Sequence, residues 1–158
     1  MSLKSALIFQ GLPTLTAHAL RLGMPDANGQ PAEYVLNPYD AAPCRHCLNH
    51  VPKGQGMLIC GHRPFSAPQP YAETGPIFLC AADCAPYRGE SLPEVLTSSP
   101  DYLVKGYGAD ERIVYGTGRV TPRGEIESYC AELLARDGIA FVDIRSARNN
   151  CWQVRVTG

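Results

Sequence analysis

The 158-residue chain has no dominant charge: 14 Lys and Arg stand against 15 Asp and Glu, a formal net charge of −1. That balance argues against a basic nucleic-acid-binding domain and against an acidic tail. Long apolar runs are also missing, and nothing approaches the roughly 18 residues a membrane helix needs. Only Ala6-Leu7-Ile8-Phe9 separates Lys4-Ser5 from Gln10. This is too short for a signal-peptide core, and no small-residue cleavage site follows it. The expectation is a soluble, cytoplasmic protein with neither nucleic acid nor membrane as partner. Internal repeats, heptads and domain linkers are absent. Tyr115-Gly116-Thr117-Gly118 falls short of a nucleotide-binding glycine pattern. No Ser/His/Asp set or paired carboxylates stand out either.

What the chain does have is glycine, proline and cysteine: 15, 14 and 7 residues. Gly and Pro together stay below the roughly 25–30% that marks low-complexity sequence. With 45% hydrophobic residues, a chain of this length predicts one domain over 1–158, burying roughly 70% of its unfolded surface. Residues 38–86 hold eight of the prolines and five of the cysteines. Each proline removes a backbone donor and pushes its predecessor toward extended geometry, so long helices are excluded there.

Short strands are expected at Gln55–Gly61 and Gly75–Cys80, with two more at Ser5–Phe9 and Glu33–Leu36 and a short helix at Thr14–Leu22. Further on, Asp101–Tyr107 and Glu111–Tyr115 read as a hairpin across Gly108-Ala109-Asp110. Pro122–Arg136 reads as the main helix, with Thr121 as N-cap, Gly138 near the C-cap, and Ile126, Tyr129, Cys130, Leu133 and Leu134 on one apolar stripe. Strands Ile139–Arg145 and Cys151–Val156 follow, separated by a polar turn at Ala147-Arg148-Asn149-Asn150. The fold class is therefore α+β. An antiparallel or mixed sheet carries one main C-terminal helix, beside an irregular proline- and cysteine-rich segment.

Seven cysteines in a reducing compartment do not form a disulfide framework. Cys44-Arg45-His46-Cys47 and Cys80-Ala81-Ala82-Asp83-Cys84 instead offer four thiolates for a tetrahedral zinc ion, each pair closing on the metal through a tight turn. The 32 residues between the pairs exceed the usual ribbon spacing, but loop-closure entropy grows slowly with length. A metal would also staple a segment with few regular elements. His46 and His62 are alternative ligands. A second reading makes Cys44 a reactive thiol in an enzyme or redox protein, its pKa lowered by Arg45. A third is a small-anion pocket lined by Arg45, Tyr71, Arg145 and Asn150. Cys60 and Cys130 read as core residues.

Three segments carry a family resemblance: Pro43-Cys44-Arg45-His46-Cys47, Tyr71 through Phe78, and Arg145-Ser146-Ala147-Arg148-Asn149-Asn150-Cys151. With them the chain resembles the bacterial domain-of-unknown-function 1203 family, from Phe9 to the last strand. The resemblance implies no activity. It implies core positions at Cys44, Arg45, Tyr71, Gly75, Pro76 and Cys151, and a His/Cys exchange at Cys80 that a zinc ligand tolerates. It also raises a rival pairing of Cys44 with Cys151, as a thiol pair or disulfide. The leading expectation is an uncharacterised binding or interaction module with a structural zinc site.

Overall fold

The computed structural model describes residues 6–158. Among the described residues, eight strands form two antiparallel sheets. The larger one contains β1 (Ile8–Gln10), β5 (Asp101–Tyr107), β6 (Arg119–Pro122), β7 (Phe141–Ser146) and β8 (Trp152–Thr157), ordered β1-β8-β7-β5-β6. The smaller contains β2 (Glu33–Leu36), β3 (Gly56–His62) and β4 (Gly75–Cys80), in that order. The described residues form two α-helices, α1 (Thr14–Arg21) and α2 (Ile126–Leu134). The fold is α+β, as the sequence implied, with α2 as its C-terminal helix.

The period-2 pattern of the large sheet assigns its two faces different work. One face sets Tyr102, Val104, Val142, Ile144, Val154 and Val156 against Ile126, Tyr129, Cys130 and Leu133 of α2, all buried. This is the apolar stripe read from the sequence. The opposite face is polar. Asp143, fully buried, accepts from Arg155 Nε at 2.8 Å and from its terminal nitrogen at 3.0 Å. Arg145 pairs with Glu73 at 3.2 Å, and Lys105 reaches the same carboxylate at 3.3 Å. The segment between β3 and β4 lies over this face, with Phe65 packed on Tyr107 and Phe141.

A second core joins the small sheet to α1 and to the cysteine-rich segment. Met57, Leu58, Cys60, Ile77 and Leu79 meet Ala17, Leu20 and Val51 there, and Trp152 of β8 enters from the large sheet. Cys60 and Cys130 are both core residues, and burial pushes their thiols up to about 11 and about 12.

Three expected elements change. Glu111–Tyr115 is not a strand. Glu111 has a left-handed φ of 62°, and Ile113 makes only an isolated bridge to Tyr107. Thr117 completes that edge with its side chain, accepting from Gly106 N–H at 2.9 Å and donating to Val114 O at 2.6 Å. The strand that pairs β5 is β6 instead. The main helix also starts later than expected. Pro122 ends β6 opposite Asp101, Arg123–Glu125 form a 3₁₀ turn, and α2 begins at Ile126. Thr121 is consequently a buried strand residue whose hydroxyl donates to Arg119 O, and it caps no helix. At the front the first strand is Ile8–Gln10, and Ser5 lies outside the described residues. No described helix is long and apolar enough to cross a membrane.

Candidate metal centre

Cys44 and Cys47 sit on a knuckle formed by a tight turn. Pro43 bridges to His50, Cys44 N–H donates to Asn49 O at 2.9 Å, and Leu48 takes a positive φ of 59°. The knuckle lies against the free edge of β4, where Cys44 bridges Phe78 in parallel and Arg45 N–H donates to Phe78 O at 3.0 Å. Cys80 ends β4, and Cys84 follows in the next loop. The long gap between the cysteine pairs is thus occupied by β3, the excursion over the large sheet, and β4, which returns to the knuckle.

All four sulfurs lie within 4.8 Å of one another, and Cys44 Sγ is 3.9 Å from Cys84 Sγ. A tetrahedral ion with bonds of about 2.3 Å requires sulfurs about 3.8 Å apart. The quartet could therefore hold one metal ion. Cys44 and Cys47 are buried, Cys80 and Cys84 half-buried.

The surroundings favour negative sulfur. Cys80 N–H donates to Cys44 Sγ at 3.3 Å. Arg21 on α1 donates to Cys84 Sγ at 3.1 Å and to Cys80 O at 3.0 Å, and lies 3.7 Å from Asp83. His46 Nδ1 is 3.1 Å from Cys84 Sγ, while its Nε2 is 2.8 Å from the Thr14 hydroxyl. Burial, then Arg21, lowers the His46 pKa, which leaves the ring neutral at neutral pH. The tautomer protonated on Nδ1 satisfies both contacts, donating to sulfur and accepting from Thr14. Within the quartet, hydrogen bonds from Cys47 and Cys80 hold the Cys44 thiol far below its usual range. Cys47, as a donor to Cys44, is pushed up to about 12, and Cys80 is pushed up further for the same reason. These hydrogen bonds favour the ionised form at Cys44 over Cys47 and Cys80, and a divalent cation would take the place of the neighbours' protons.

The remaining candidates fall in different places. His46 supports the quartet from outside it. His62 lies away from the sulfurs, its ring 5.3 Å from that of Trp152. Arg45 is buried, but its Nε donates to Trp152 O at 2.8 Å and its Nη1 to Pro43 O at 2.6 Å. No hydrogen bond joins its guanidinium to Cys44. Cys151 lies outside the quartet with its thiol toward Asn149 O, and all seven cysteines are free.

Arg145 and Asn150 do come together. Arg145 donates to Asn150 O at 3.0 Å, and the Asn150 amide donates to Glu73 at 2.9 Å. Burial would raise the Glu73 pKa, but Arg145, Asn150 and Lys105 outweigh it and hold the carboxyl below its usual value. Tyr71 stands apart, its hydroxyl 2.7 Å from that of Tyr115 and its ring under Arg112.

Sequence reading had missed Thr14, Arg21, Glu73 and the Asp143–Arg155 pair. The i,i+7 spacing of Thr14 and Arg21 on the short helix was the one available signal for the first two.

The fold and its four-sulfur centre define an α+β protein with a potential metal-binding site of the four-cysteine kind. The chain belongs to the family described as Protein of unknown function (DUF1203), whose model matches residues 41–158. That span contains the quartet and both sheets except β1 and β2, while α1 precedes it. No curated protein and no solved structure matched the chain.

Proposed function

We propose that Cys44, Cys47, Cys80 and Cys84 hold one zinc ion in a structural role, in a single-domain protein that acts as a binding or interaction module. The convergence of four sulfurs at near-tetrahedral spacing carries this reading. Four thiolates fill the tetrahedral shell of zinc and leave no open position for substrate, which is the arrangement of structural rather than catalytic sites. The two negative charges of such a centre are offset by Arg21, and His46 orients Cys84. Second-layer partners of this kind tune metal affinity. The binding role draws support from two cavities flanking the start of β8, of about 280 and 240 Å³, each lined by at least one arginine.

Elemental analysis of untagged protein should find one zinc per chain. Alkylation should spare Cys44, Cys47, Cys80 and Cys84 until a chelator is added, while Cys151 reacts from the start. Absence of stoichiometric metal, with all four cysteines freely alkylated, would overturn the reading.

A further inference from the structure

Arg45 is as deeply enclosed as Arg145, yet the two differ in one respect. Arg145, Arg155 and Arg21 each have a carboxylate within 4.0 Å, and Arg45 has none among the described residues. A buried guanidinium satisfied only by two carbonyls is left with charge that its surroundings do not neutralise. Burial lowers the Arg45 pKa to about 10; Cys151, then Cys44 and Cys60, favour its charge from a distance, but none of them forms a hydrogen bond with it.

Arg45 also lines the 240 Å³ cavity between the knuckle, β4 and the start of β8, a space at the small end for a ligand pocket. Ser98, Ser99, Ser146, Gln153 and Cys151 also line it, with Phe78 as an apolar wall. The Gln153 amide donates to Cys151 O at 3.2 Å, and the Cys151 thiol is turned toward Asn149 O at 3.7 Å. Cys151 directly precedes Trp152, whose carbonyl anchors Arg45. The cavity therefore combines a cation with no carboxylate partner, serine side chains and a cysteine.

We propose that this cavity binds a small oxyanion-bearing molecule, a carboxylate or a phosphate, with Arg45 as its charge partner and the Cys151 thiol against it. The proposal names a ligand class for the binding role above and is independent of whether the quartet holds zinc.

The test uses full-length protein as purified, with metal content measured on the same sample. Iodoacetate and iodoacetamide are compared at one pH, and labelling of Cys151 is read by peptide mass spectrometry. In both reactions the sulfur displaces iodide, a carbon–sulfur bond forms, and the thiol proton goes to buffer. Only iodoacetate brings a carboxylate to Arg45. The iodoacetate-to-iodoacetamide rate ratio at Cys151 should exceed that of N-acetylcysteine by about tenfold, the scale of one charge-assisted hydrogen bond.

Inorganic phosphate or acetate should return the ratio toward the reference, and potassium chloride at equal ionic strength should not. The stronger competitor tells a phosphate ligand from a carboxylate one. Arg45→Gln should abolish the excess, and if that variant does not fold, competition in the unaltered protein decides. A ratio equal to the reference with no competition overturns the proposal, even with zinc present. A raised ratio in metal-free protein would leave it standing and overturn the zinc reading alone.

Discussion

At the scale of single residues, two tyrosines packed on opposite faces of the large sheet separate a hydroxyl that contributes from one that does not. Tyr129 donates to Thr117 O at 2.6 Å, whereas the fully buried Tyr107 hydroxyl has no hydrogen-bond partner. Burial raises the Tyr107 hydroxyl to about 12, so it stays protonated. Tyr129→Phe should lower stability by about 1 kcal/mol, and Tyr107→Phe should leave it within about 0.5 kcal/mol or raise it. Urea midpoints at unchanged slope would show the contrast, and equal losses would refute it.

His62 supplies a second case. Burial pushes its pKa down to about 4, and Arg155, Arg45, Arg145 and Arg63 add their positive charge in the same direction. The unfolded chain takes up this proton near pH 6.5 and the folded one only near pH 4, so stability falls on acidification across that window. The full loss is on the order of 3 kcal/mol. His62→Gln should flatten the dependence of the urea midpoint on pH between about 6.5 and 4. A variant profile parallel to the unaltered protein's would count against it.

At the scale of elements, the contact between α1 and the knuckle depends on Gly11. A Cβ there would come within 2.4 Å of the Arg45 carbonyl oxygen and 2.9 Å of that of His46. Leu12 N–H donates to that same Arg45 oxygen. Gly11→Ala should move α1 off the knuckle and take Thr14 and Arg21 away from His46 and Cys84. Metal affinity should then fall by about ten- to a hundredfold while α2 and the large sheet remain. Chelator competition measures this, with circular dichroism as the control, and undiminished affinity would show that α1 contributes nothing to the centre.

The same contact marks what the sequence could reveal. The quartet was legible because ligand spacing is local, written in a few residues at each of two places. β2, β4 and β5 emerged with their observed bounds because alternation and turn residues are local as well. Arg21 and Glu73 were not legible, since their partners lie 63 and 72 residues along the chain and depend on docking and register. Pro122 suits the end of a strand as well as the start of a helix, and pairing with Asp101 decided between them.

At the scale of the whole molecule, the quartet lies in the half of the protein with the fewest regular elements, so metal removal should be felt globally. Chelation under reducing conditions should lower stability by about 3 kcal/mol or more, roughly 10 °C in the melting midpoint for a chain of this size. Calorimetry with and without chelator would measure it, and an unchanged midpoint would deny the metal a structural part. Both the loaded and stripped forms should melt in one transition, as the single domain proposed above requires.

Trp152 is the chain's lone indole. It belongs to β8 by its backbone and to the small-sheet core by its side chain. A natural fluorophore therefore sits at the seam, and its emission should register loosening on either side without any added dye.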